Sequence, residues 1–118
     1  MSHTHWSIFY HIVWTTKGRA PLITPIIEPS LLRAIRLKSN ELHAPIHALN
    51  CVSDHIHVAV TIPPTIAISD WLKHVKGYSS HAINEGRAPN ADLFRWQRGG
   101  GIRSFGEKNL SFVRDYID

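Results

Sequence analysis

One cysteine, one methionine and no apolar run near the ~20 residues that cross a bilayer are what this 118-residue chain lacks. A single Cys51 cannot close an internal disulfide, so it is expected as a small buried hydrophobe near the end of a strand. The N-terminus lacks the charged, then apolar, then small-residue layout of a signal peptide, and no span is membrane-like, so a cytoplasmic location is expected. Charge is modest at 19% against 43% hydrophobic residues, which excludes an intrinsically disordered composition. Acidic residues are the scarcer sign, 9 against 13 basic ones. The resulting +4 and a pI near 9.6 favour an anionic partner such as nucleic acid. No internal repeat or low-complexity tract is visible, and the length suits one domain over 1–118.

What the chain does have is alternation. Trp6, Ile8, Tyr10, Ile12 and Trp14 interleave with Ser7, Phe9, His11, Val13 and Thr15, which predicts a first strand, apolar on one face and mixed on the other. Pro25 and Pro29 mark a loop before Ser30, which opens a helix to about residue 43 with Leu31, Ile35 and Leu42 buried. Residues 46–52 predict a second strand, Ser53-Asp54 a tight turn, and Pro63-Pro64 the end of the strand begun at His55. Ile68, Leu72, Val75, Ser79 and Ala82 space a second helix over 68–85. Two short strands are expected around Phe94 to Gln97 and Ile102 to Phe105. A last helix is expected over 107–117, with Leu110, Val113 and Ile117 buried. This order describes an α+β fold, an antiparallel sheet flanked by helices of ferredoxin-like or RNA-recognition-motif-like type.

The chemistry concentrates in His55-Ile56-His57. Strand alternation points both imidazoles to one side, while Ile56, Val58, Val60 and Ile62 form an apolar stripe on the other. Two neutral imidazoles on one sheet face can hold a metal ion and leave coordination positions open for water or substrate oxygens. Nine histidines in one chain also make such a pair possible by chance. Other histidines are poorer candidates: Pro45 interrupts the interval from His43 to His47, His3 and His5 lie at the N-terminus, and packing accounts for His74 and His81.

His55-Ile56-His57 after Ser53-Asp54 is followed by Lys76-Gly77-Tyr78-Ser79-Ser80, by Trp96-Gln97 with its glycine-rich continuation, and by Tyr116-Ile117 in a closing helix. In this order the motifs resemble the single-tyrosine HUH transposases, the small enzymes of insertion sequences that move as single-stranded DNA, related to REP-associated tyrosine transposases. The resemblance runs over nearly the whole chain and implies the HUH endonuclease fold, with a tyrosine-bearing helix at about 107–118.

It also implies a mechanism. His55 and His57 are the expected ligands of Mg2+ or Mn2+ against a scissile phosphate, and Tyr116 the nucleophile that leaves a 5′-phosphotyrosine and a free 3′-hydroxyl. A third ligand is expected one turn after the tyrosine, a position beyond Asp118. The implied partner is a DNA hairpin on a single strand, met by Lys73, Lys76, Arg98 and Arg103, with Lys17 and Arg19 behind them. A homodimer is implied too, in which one subunit's tyrosine helix can serve the other's histidines. Two other readings remain open at this point: a descendant that binds hairpins without cutting them, and an unrelated ferredoxin-like module whose histidines only pack.

Overall fold

A computed structural model describes residues 8–88, 92–106 and 117; for Ile8 and residues 102–106 the backbone alone is described. The order is β1 (Ile8–Thr15), α1 (Glu28–Glu41), β2 (Ile46–Val52), β3 (His55–Val60), α2 (Ile68–Asn84) and β4 (Gly101–Gly106). The four strands lie in the order β2-β3-β1-β4, every neighbouring pair antiparallel. This is the split βαβ arrangement of ferredoxin-like folds, with each helix crossing over one intervening strand. The predicted final helix lies outside the described residues except for Ile117, which is helical.

Alternation decides what each strand buries. Ile12 and Trp14 of β1, Leu49 and Cys51 of β2, and Ile56, Val58 and Val60 of β3 pack with Leu31 and Ile35 of α1 and Trp71, Leu72 and Val75 of α2. Burying each of these aliphatic side chains contributes about 1.5–3 kcal/mol, so this layer carries most of the cohesion. The α1–α2 contact is pinned by a polar relay inside it: Trp71 Nε1 donates to Ser39 Oγ at 3.0 Å, and that hydroxyl donates to the Ala44 carbonyl at 2.6 Å. Trp71 and Ser39 are both fully buried, so each polar atom needs the other. As expected, Cys51 is buried. Its thiol donates to Glu28 at 3.1 Å, and burial, reinforced by that carboxylate, pushes its pKa up to about 12.

Three sequence expectations change. α1 begins at Glu28, so Pro29 lies in its first turn instead of ending a loop. The missing N–H of proline is no loss there, because first-turn amides have no intrahelical acceptor. Trp71, absent from the predicted stripe of α2, is among its most buried residues. Residues 94–97 form no strand. Trp96 makes one isolated bridge to Thr16, while Asn84 brackets Phe94 by accepting from its N–H (2.7 Å) and donating to its carbonyl (2.9 Å). These side-chain bonds replace a ladder and turn Phe94 and Trp96 inward onto Trp14.

The β2–β3 hairpin is tied to the end of β1. Thr16 N–H donates to the Asp54 carbonyl at 2.9 Å, and Arg19 Nε reaches Asp54 Oδ2 at 3.3 Å. Gly100 runs close beneath the same region: a Cβ there would stand 3.0 Å from the Val13 carbonyl oxygen, so the backbone path requires glycine or a shift.

Candidate functional site

The sheet face turned away from α1 and α2 carries the polar residues. In the strand register, Asn50, His57, Val13 and Gly101 form one row across β2, β3, β1 and β4. Val52, His55 and Thr15 form the next, and Ala48, Ala59, His11 and Arg103 the one on the other side. Phe9, Ala48, Ala59 and Ile117 make a small second apolar cluster there, so the residue that follows Tyr116 is packed on the histidine face. Tyr116 itself lies outside the described residues.

His55 and His57 are brought together as their spacing predicts, with ring centroids 4.7 Å apart. His55 Nδ1 lies 2.7 Å from Asp54 Oδ1. A carboxylate on Nδ1 fixes the ring's tautomer and orientation and leaves Nε2 with the lone pair, as around metal-bound histidines. The hydrogen bond from His55 lowers the Asp54 pKa; burial opposes this and Arg19 adds to it. His57 Nδ1 lies 3.3 Å from His11 Nε2, and the two rings are stacked. Burial first, then the neighbouring imidazoles of His55 and His11, hold His57 below the ordinary histidine range, hence neutral at pH 7. Neutrality is the state a ligand needs. Two nitrogen donors, one oriented by a carboxylate and one kept neutral by its surroundings, fit a divalent cation with room for oxygen ligands. Among the described residues no group of three His, Cys, Asp or Glu side chains forms a ligand set.

The predicted basic residues divide between two places. Lys73, Lys76 and Arg98 line one open cavity of about 600 Å³ between α2 and the segment before β4, together with Arg95, Trp96 and Gly99. Within it Lys76 is part of the wall: its ammonium donates to the carbonyls of Gln97 (2.6 Å) and Gly99 (2.9 Å), and burial lowers its pKa. Lys17 and Arg19 sit in the 3-10 turn Lys17–Arg19 after β1, with Arg19 held by Asp54. Arg103 pairs in register with His11 on β4.

Sequence reasoning missed His11, Asp54, Asn50 and Arg95. Parity in β1 puts His11 on the face of Val13 and Thr15, but only the β1–β3 pairing brings it to His57. Asp54 adjoins His55 in sequence, and only the turn geometry bends its carboxylate back onto the ring.

The sequence profile described as "Transposase IS200 like" matches residues 4–118. The chain belongs to the IS200-like transposase family. The transposase of insertion sequence element IS200 from Salmonella typhimurium is 29% identical over 121 residues, covering 99% of this chain and 79% of that protein. The ISDra2 transposase TnpA of Deinococcus radiodurans is 24% identical over 74 residues, 63% of this chain and 53% of that protein. A crystal structure described as a transposase from Deinococcus radiodurans R1 shares the fold, with a TM-score of 0.78 at 20% identity over 99% of this chain and 93% of the other. So does a REP-associated tyrosine transposase bound to a REP hairpin, with a TM-score of 0.71 at 18% identity over 99% and 70% of the two chains. The family's activity is DNA cleavage in transposition. Among the described residues of this IS200-like transposase, no helix is long and apolar enough to cross a membrane.

Proposed function

We propose that this IS200-like transposase is one domain, residues 1–118, that cleaves and rejoins single-stranded DNA beside a hairpin. The observation that carries the reading is the His55–His57 pair, oriented by Asp54 and kept neutral by burial, in a chain of this family. His55 and His57 would hold Mg2+ or Mn2+, which when bound supplies charge neutralisation at the scissile phosphate. Tyr116 is the nucleophile: its Oη gives up a proton and bonds to phosphorus, the P–O3′ bond breaks, and the departing 3′ oxygen takes a proton. The 5′-phosphotyrosine keeps the phosphodiester energy, so attack by another 3′-hydroxyl reverses the step without a nucleotide cofactor.

The groove of Lys73, Lys76 and Arg98 supports contact with the DNA backbone, and Trp96 in its wall gives a surface on which an unpaired base can stack. Arg103, Lys17 and Arg19 are further phosphate contacts. A hairpin is the favoured partner because a structural relative is bound to one. The assembly is a homodimer, and sedimentation at micromolar concentration tests it.

The central test is a denaturing gel with labelled hairpin-bearing single strands from the gene's flanks and Mg2+ or Mn2+. A protein–DNA adduct that disappears with chelator and in Tyr116→Phe is the expected result. Hairpin binding on a native gel without any adduct would replace this reading with that of a binding-only descendant.

A further inference from the structure

Asn50 occupies a position that no feature of the sequence singles out. It lies on β2 directly opposite His57, so its side chain shares the sheet face with the histidines. Its amide is fixed at both ends: Oδ1 accepts from the Cys51 N–H at 2.8 Å, and Nδ2 donates to the Ile117 carbonyl at 3.1 Å. Ile117 is 6% exposed and packed on Phe9, Ala48 and Ala59 of the same subunit. A cavity of about 280 Å³ is bounded by Asn50, His57 and Ile117, so open space separates the docked residue from the histidine row.

We infer that Asn50 is a positioning residue that holds the C-terminal segment on the histidine row of its own subunit, so that Tyr116 is delivered in cis. Successive Cα atoms are about 3.8 Å apart, so anchoring the Ile117 carbonyl constrains the residue before it to the same neighbourhood. The apolar contacts of Ile117 supply adhesion to the sheet. The single directed bond from Asn50 supplies position along it, because a hydrogen bond fixes an atom where dispersion contacts permit sliding. This inference rests on the proposed cleavage reaction.

The test mixes two inactive proteins, Tyr116→Phe and His57→Ala, and compares their adduct with that of wild type. Delivery in cis predicts no adduct from the mixture, since no subunit holds both groups. An adduct restored to near half the wild-type yield would overturn the inference while leaving the cleavage reaction intact. Absence of adduct from wild type itself would overturn the parent reading and this one with it. Asn50→Leu supplies the second measurement. With unchanged melting temperature and hairpin affinity, its rate of adduct formation at saturating DNA should fall about tenfold, the factor for one lost net hydrogen bond. An unchanged rate would overturn the role given to Asn50, and the mixing result stands independently of whether that variant folds.

Discussion

The two faces of β3 differ in what they can tolerate. Ile56, Val58 and Val60 look into the helices and are wholly buried, whereas His55 and His57 look to the other side and are half-buried. One face is held by shape and the loss of water, the other by a few directed contacts among Asp54, His55, His57, His11 and Asn50. Cohesion and chemistry are thus separated by the parity of one strand, and residues on one face can change with little effect on the other.

The largest effect expected is on the helix face. Trp71→Ala should cost ~3–5 kcal/mol in urea unfolding, whereas His57→Ala should cost less than ~1 kcal/mol while abolishing the DNA adduct. Equal losses of stability would break the division. Ser39→Ala should cost about 1–3 kcal/mol, because it strands the buried Trp71 N–H and the Ala44 carbonyl together. Chemical denaturation of Ser39→Ala beside wild type checks this.

On the chemical face, Asp54→Asn should weaken Mn2+ affinity roughly 10–100-fold, measurable by titration calorimetry, with the fold retained. Its sign with pH also follows. Asp54 is held below the ordinary carboxylate range, so its contribution to stability is complete above about pH 4 and lost as pH falls through the lowered value. In Asp54→Asn that acid limb should flatten, as melting temperatures between pH 5 and 2 will show. In the groove, Lys73→Ala should reduce the salt dependence of DNA binding by about one counterion, measured by anisotropy at several salt concentrations. The smallest effect concerns Cys51: with its thiol pushed up to about 12, folded protein at pH 8 should leave a disulfide reagent unreacted until denaturant is added.

Much of the fold was legible because the core residues announce themselves by period. Tyr10, Ile12 and Trp14 gave β1, Ile56, Val58 and Val60 gave β3, and the Ser53-Asp54 turn gave the hairpin. The histidine pair was legible for the same reason. Residues 94–97 were misread because aromatic residues with strand propensity were taken as ladder-forming, when Asn84 satisfies the backbone and the rings fill a gap beside Trp14. His11 and Asn50 were invisible because their significance depends on which strands are neighbours, and local pattern does not encode sheet order.

Trp71, Trp14, Trp96 and Phe94 stand edge to face in succession, with centroids 6.1, 5.8 and 4.6 Å apart. At such separations indoles exchange excitation energy, so light absorbed deep in the core is shared with Trp96 at the wall of the basic groove. The molecule therefore carries its own optical probe: a strand entering the groove alters the emission of the whole column, while events at the imidazoles on the far face leave it dark.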